Sequence, residues 1–335
     1  MDFKKRLTTQ LMVAVGASLV LAAFGGMPAQ AASKTHKAAT FISGGPTGTW
    51  YPTAAAASEM VNKHYEGQPI TTIPGKGAIG NPLSVGAGKA EFGLSYGPFL
   101  KLAYQGNNEV FKNKGFKNLR AVANVVANTV HIVMASDVSA DVFSKLKGGK
   151  KINIGVGQKG SSNHFAIEKI LMEYGFNYKQ LRAQGSHVVE GAQQGQVAAF
   201  QNRQLDIYTN TVGMNSNDLR QALTARKGHV LSIPDPIRDK MVSKWGYVPF
   251  SIPAGTYDGQ DKPVKSLNLS TVIFTSADMD DEIVYFMVKE MAENHDRLIA
   301  AYAGFKRWKP EDLPVGHPVP THPGAIKYYK ERGWM

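Results

Sequence analysis

Phe41-Ile42-Ser43-Gly44-Gly45-Pro46-Thr47-Gly48-Thr49-Trp50-Tyr51-Pro52 carries an apolar run, a glycine turn and the first turn of a helix within one short stretch. Ala38 to Ile42 reads as a short buried strand, and the spacing predicts a helix from near Trp50 through Met60 and Val61. Pro52 is tolerated at that helix start because its missing N–H has no partner there anyway. The same plan returns later in the chain. Lys151-Ile152-Asn153-Ile154 is a strand, Gly155 to Ser162 is a glycine loop, and a helix follows from about Asn163. Its Ile167, Ile170, Leu171 and Tyr174 fall at i, i+3, i+4 and i+7, one apolar helix face.

Working outward, the two copies stay in step. Gly45, Gly48 and Thr49 correspond to Gly157, Gly160 and Ser161, and downstream Glu91-Phe92 corresponds to Asp206-Ile207, each pair opening a strand. Repeated strand–loop–helix units point to an α/β protein of two similarly built lobes. Between the copies, Leu119 to Val125 and Val130 to Met134 read as successive strands, one of which crosses between lobes. Tyr247 to Tyr257 and Leu269 to Thr275 return the chain. Asp280 to Tyr302 reads as one long amphipathic helix, followed by a proline-rich stretch from Pro310 to Pro323 and a short terminal helix. The expected division is 32–131 with 250–335 for lobe I, and 132–249 for lobe II.

The beginning of the chain bounds its location. Lys4, Lys5 and Arg6, an apolar run from Leu11 to Phe24, and Ala29-Gln30-Ala31 have the three parts of a secretory signal peptide, 1–31. The run is shorter than the ~20 apolar residues that span a bilayer, so the expected product is a periplasmic protein released after Ala31. The formal net charge is +12, and it remains basic once the first 31 residues are removed. A basic balance suits nucleic acid, an anionic membrane surface or an anionic solute. Export disfavours nucleic acid, and no basic stripe is interleaved with aromatics. With no cysteine, disulfides, thiolate metal sites and thiol nucleophiles are all excluded.

Gly155-x-Gly157-x-x-Gly160 has the form of a dinucleotide fingerprint, but Tyr178 to Ala183 lacks the acid expected after the next strand. Gly44 to Thr49 lacks the lysine of a P-loop. Both loops keep the underlying physics: small residues admit a ligand to the backbone, and the following helix presents unpaired N–H groups to an anion. Thr47, Thr49, Ser161, Ser162 and Asn163 add donors, and Lys159 adds charge. The competing structural role is helix capping by Ser161 or Ser162. Two matched loops facing across a cleft favour ligand binding over capping alone. Nine histidines form no HExxH or other close pair, so no metal and no cofactor are expected. No GxSxG elbow supports a hydrolase. For His131, on the strand expected to cross between lobes, core packing and ligand contact stand level. Tyr51, Tyr96, Tyr208 and Tyr257 lie in or beside the loops expected at the cleft, where each could wall a ligand or pack the core.

These residues resemble the TAXI family of solute-binding proteins, which serve TRAP transporters. The resemblance rests on Phe41 to Pro52, Leu119 to Ala123 with Val130 to Val133, Gly160-Ser161-Ser162, Ile252 to Tyr257, and His322 to Ala325 with Tyr328-Tyr329. It implies a type II periplasmic-binding-protein fold, with a hinge and an inter-lobe cleft, and no catalysis. It also implies that a monomer captures a small organic acid, glutamate-like or 2-oxoglutarate-like, and delivers it to a TRAP membrane subunit. Carried over by position, the contacts are Thr47, Gly48, Thr49, Tyr51, the Gly75–Asn81 loop with Lys76, Gly77, Ala78 and Asn81, Tyr96, His131, Ser161, Ser162, Asn163, Thr209, Val212, Gly213 and Tyr257.

Two departures bear on the ligand. Gly75-Lys76-Gly77-Ala78 stands where relatives often have Thr-Gly-Gly-Ser, and Ser95-Tyr96-Gly97-Pro98 has no carboxylate where many have Gln-x-Asp. A buried ammonium needs a partner, so a carboxylate ligand without an amine is expected. A periplasmic sensor component and a periplasmic hydrolase acting through Ser161 or His131 are the alternatives.

Overall fold

The computed structural model describes residues 34–35, 37–106 and 108–335; the signal peptide expected at 1–31 lies outside the described residues. In chain order the strands are β1 (Lys34–Thr35), β2 (Ala39–Ile42), β3 (Tyr65–Glu66), β4 (Ile70–Ile73), β5 (Phe92–Tyr96), β6 (Leu119–Ala135), β7 (Asn153–Gly155), β8 (His187–Val189), β9 (Ile207–Val212), β10 (Gly228–Val230), β11 (Val248–Ile252) and β12 (Val264–Ser276). β1 and β3 form a separate parallel pair, while the others share one hydrogen-bonded path, β4-β2-β5-β12-β6-β9-β7-β8, with β10 on β6 and β11 on β12.

That path is two copies of one order. β4-β2-β5 are parallel, and antiparallel β12 follows, then the first half of β6. β8-β7-β9 are parallel, and antiparallel β6 follows in its second half, then β10. β6 belongs to both: Leu119 to Thr129 pairs with β12, and Thr129 to Met134 pairs with β9, so Thr129 faces Asn268 and Val212 at once. The two separate strands expected over this region are therefore one strand of 17 residues. The polar Asn128-Thr129 interruption marks a change of partner and leaves the strand unbroken.

The acid before each third strand has a defined task. Glu91 Oε2 accepts from the Thr40 N–H at 2.6 Å, and Asp206 Oδ2 accepts from the Asn153 N–H at 2.8 Å. In the first copy Phe41 faces Phe92, and in the second Ile154 faces Ile207. Each carboxylate thus closes an otherwise unpaired amide at the start of a lobe's first strand, which a buried sheet cannot leave open.

Helices cover the sheets by burying one stripe. Trp50–Asn62 buries Ala54, Ala57 and Val61, and Ser162–Glu173 buries Phe165, Ala166, Ile167, Ile170 and Leu171 with Tyr174 half-buried beyond them. Burying such an aliphatic side chain contributes roughly 1.5–3 kcal/mol. The long helix expected over Asp280 to Tyr302 is two helices, Asp281–Glu293 and His295–Ala301. They part at Asn294, whose backbone leaves the helical region (φ −118°, ψ 44°) while its amide turns back to the Glu290 carbonyl and carboxylate. The Gly75–Asn81 stretch is likewise only partly loop, because Gly77 already opens the helix Gly77–Gly86.

Candidate functional site

Three helices of the first copy, Trp50–Asn62, Gly77–Gly86 and Gly97–Gln105, begin with no side chain capping their first turns. Uncapped first-turn N–H groups carry the positive end of the helix dipole. In the second copy, Ser162–Glu173 begins differently, since Ser161 Oγ accepts from the His164 N–H at 3.2 Å. Here the capping role expected as the alternative for Ser161 is realised. The starts of Trp50–Asn62, Gly77–Gly86 and Ser162–Glu173 nonetheless share a cavity of about 270 Å3 between the lobes. At its mouth the lobes nearly touch, for a Cβ built on Gly77 (φ +76°) would lie 3.5 Å from Ser161 Cα and Cβ.

A hydrogen-bond network floors this cavity and crosses between the lobes. The Thr49 hydroxyl donates to Asn128 Oδ1 at 3.3 Å, and Asn128 Nδ2 donates to the Tyr96 hydroxyl at 2.7 Å. Tyr96 in turn donates to the Thr211 carbonyl of the other lobe at 3.1 Å. Burial pushes the Tyr96 phenol far above its ordinary range, with hydrogen bonds from Asn128 and Ser162 acting the other way, so it stays a neutral donor. Thr211 Oγ1 donates to Asn163 Oδ1 at 3.3 Å, and Asn163 Nδ2 donates to the Thr209 carbonyl and hydroxyl at 3.0 and 2.9 Å. The Trp50 ring packs edge-on against Tyr96 with centroids 4.8 Å apart.

Of the residues expected at the ligand, Thr47, Gly48, Thr49, Lys76, Gly77, Ala78, Tyr96, Ser161, Ser162, Asn163 and Val212 line this cavity. The others lie elsewhere. Asn81 is fully buried and holds the loops from behind, accepting from the Lys76 N–H and donating to the Ser43 and Leu94 carbonyls. Thr209 Oγ1 is used by the Gly155 carbonyl and Asn163. His131 is buried, its Nδ1–H directed at the Thr129 carbonyl at 2.9 Å and its Nε2 accepting from the Tyr257 hydroxyl at 2.8 Å; burial lowers its pKa to about 4. Both His131 and Tyr257 are thus satisfied away from the cavity, as core packing would have them. Gly213 lies behind the wall against Tyr302, Lys159 is solvent-exposed, and Tyr51 is half-buried outside the lining.

Several lining residues escaped sequence reasoning. Asn128 had a signal, a polar break in an apolar strand. Trp50, Gln193 and Asp218 had none, because each reads as an ordinary helix-start residue. All three line the cavity and carry a buried polar atom with no partner: Trp50 Nε1, Gln193 Oε1 and Asp218 Oδ1. Two other depressions, of about 290 Å3 beside Tyr257 and about 860 Å3 beyond Thr47 to Thr49, are lined by none of these three. Among the described residues, no group of three or more His, Asp or Glu could hold a metal ion, and no helix is long and apolar enough to cross a membrane.

The chain matches the NMT1-like family over residues 41–333 and belongs to that family. Among solved structures it is similar to MatC from Rhodopseudomonas palustris with bound malate, at 14% identity and a TM-score of 0.54, covering 89% of this chain and 97% of that one. It is also similar to the periplasmic binding protein BugD, at 11% identity and 0.53, covering 89% and 95%. A Bordetella bronchiseptica protein matches at 12% and 0.52, covering 89% and 98%. At these identities the likeness is one of fold, the two-lobe α/β architecture of solute-binding proteins.

Proposed function

We propose that this member of the NMT1-like family is a periplasmic solute-binding protein that captures a small organic acid between its lobes and hands it to a membrane transporter. The observation that carries this reading is the cavity into which helix starts of both lobes open, with cross-lobe hydrogen bonds beneath it. Helix starts favour anions, and Lys76 adds a cation at the rim. The eleven expected residues that line the cavity are the proposed ligand contacts. Malate bound to MatC, a protein of like fold, agrees in chemistry with such a ligand.

The resemblance to the TAXI family assigns the transporter to the TRAP type, driven by an ion gradient. Lobe I is assigned 32–131 with 250–335 and lobe II 132–249, hinged where β6 changes partner. A solute held by one lobe gains contacts from the other only on closure, and so draws the population toward the closed form. A thermal-shift screen of organic acids identifies the ligand class, because a ligand that binds only the folded state raises its Tm. Small-angle scattering then shows a smaller radius of gyration with that acid at saturation. An unchanged radius, or no acid that raises Tm, defeats the reading.

A further inference from the structure

Two carboxylates that precede strands are accounted for, and a third at a helix start is not. Glu91 and Asp206 each close a backbone amide of their own lobe. Asp218, on the first turn of the helix Asn217–Ala225, is only 2% exposed, and one of its oxygens is left over. Asn210 Nδ2 donates to Oδ2 at 3.3 Å, and burial raises the pKa of this carboxyl while the side chains of Thr47 and Asn210 act the other way. Oδ1 has no donor and is shielded from solvent, in a residue that lines the cavity. A buried carboxylate oxygen without a donor is costly. A chain that twice pairs such groups with its own amides leaves this one unpaired, in a residue on the wall of the cavity.

The opposite wall carries the complementary vacancy. Trp50 is 7% exposed, and its indole N–H, which can only donate, has no acceptor. Both lobes bring an uncapped helix start to the cavity, but the unpartnered side-chain atoms differ: lobe I offers a donor in the Trp50 indole, and lobe II offers acceptors in Asp218 Oδ1 and Gln193 Oε1.

We propose that Asp218 is the specificity residue of this cavity, taking a hydroxyl or ammonium hydrogen from a small acid whose carboxylate lies against the Trp50 side. The inference rests on the solute-binding reading and narrows it to hydroxy or amino acids. It reverses the expectation of a ligand without an amine, which came from the missing carboxylate near Tyr96; Asp218 supplies that charge from the other lobe. A plain diacid has no hydrogen to give Asp218 and leaves that buried oxygen unpaired, which disfavours its binding relative to the hydroxy or amino acid.

The test is calorimetric titration of the full processed protein with two matched series: succinate, L-malate and L-aspartate, then glutarate, L-2-hydroxyglutarate and L-glutamate. In at least one series the wild type binds the hydroxyl- or ammonium-bearing acid tenfold or more tighter than the plain diacid, and which of the two binds tighter identifies the donor. Asp218→Asn shrinks that preference to within threefold, partly by strengthening binding of the plain diacid; Asp218→Ser serves as a second variant. Equal affinities across both wild-type series, or a preference that survives in both variants, overturns the role of Asp218 while leaving the solute-binding reading standing. If none of the six acids binds, the role of Asp218 is overturned, and the solute-binding reading falls with it only when the thermal-shift screen also finds no acid that raises Tm.

Discussion

The two lobes share a scaffold and differ at the cleft. Each has three parallel strands, an antiparallel fourth and an acid that closes the first strand's amide. In lobe I the helices Trp50–Asn62 and Gly77–Gly86 open uncapped on the cavity and Trp50 keeps a free N–H. In lobe II Ser161 caps the helix that corresponds to Trp50–Asn62, the uncapped start lies instead at Gln193–Gln201, and the buried side-chain atoms without partners are acceptors, on Asp218 and Gln193. One architecture thus carries unpartnered side-chain atoms of opposite hydrogen-bonding character on its two inner walls.

Acid titration tests the two strand copies against each other with the largest expected effect. Each copy borders a histidine whose pKa burial lowers to about 4: His131 on the half of β6 paired with β9, and His317, hydrogen-bonded to Thr321, which bridges Ala121 on the other half. The unfolded chain binds those protons near pH 6.5 and the native one only near pH 4. Stability is therefore full above pH 6.5 and falls as pH drops toward 4, by roughly 3 kcal/mol per histidine. Urea unfolding across that range, repeated with His131→Asn and His317→Asn, should show each variant losing a similar part of the slope. A slope unchanged in one variant would break the symmetry.

The scaffold acids come next. Asp206 accepts from both the amide and the side chain of Asn153, and Glu91 accepts from the Thr40 amide. Removing a charged acceptor costs about 1.5–3 kcal/mol, so Asp206→Ala should lower stability somewhat more than Glu91→Ala in chemical denaturation. The reverse order would mean that the two pins are not equivalent. The smallest effect lies where the lobes meet. A Cβ on Gly213 would lie 2.0 Å from Tyr302 Oη and 3.0 Å from Thr49 Cγ2. Gly213→Ala should cost about 1–2 kcal/mol by crowding and weaken ligand binding, and Tyr302→Ala in the same chain should restore part of both.

The scaffold was legible in the sequence because its signals are local: a glycine turn before a helix, an acid before a strand, an apolar face at helical spacing. The match of Gly45, Gly48 and Thr49 to Gly157, Gly160 and Ser161 anticipated the repeated strand order. Partner exchange was not legible, since an extended strand such as β6 has one local pattern whether one sheet or two flank it, and so it read as two strands. The site divided on the same line. Loop residues such as Thr47 and Ser161 announce themselves by composition, but Tyr96 meets the Thr211 carbonyl 115 residues away, and Asp218 differs from a routine helix-start acid only in what surrounds it. His131 and Asn81 were the converse, polar residues beside the right loops whose hydrogen bonds are consumed inside the core.

The unbroken course of β6 has a mechanical corollary. At about 3.3 Å per residue its 17 residues span at most roughly 56 Å, with Thr129 laddered on each side and two register shifts against β12 where β6 carries an extra residue. A bulge bends and twists the strand that carries it, so in the proposed hinge motion the turning gathers where the ladder is already irregular, between Ala121 and Asn128, while the evenly paired stretch from Thr129 to Met134 travels with its own neighbours.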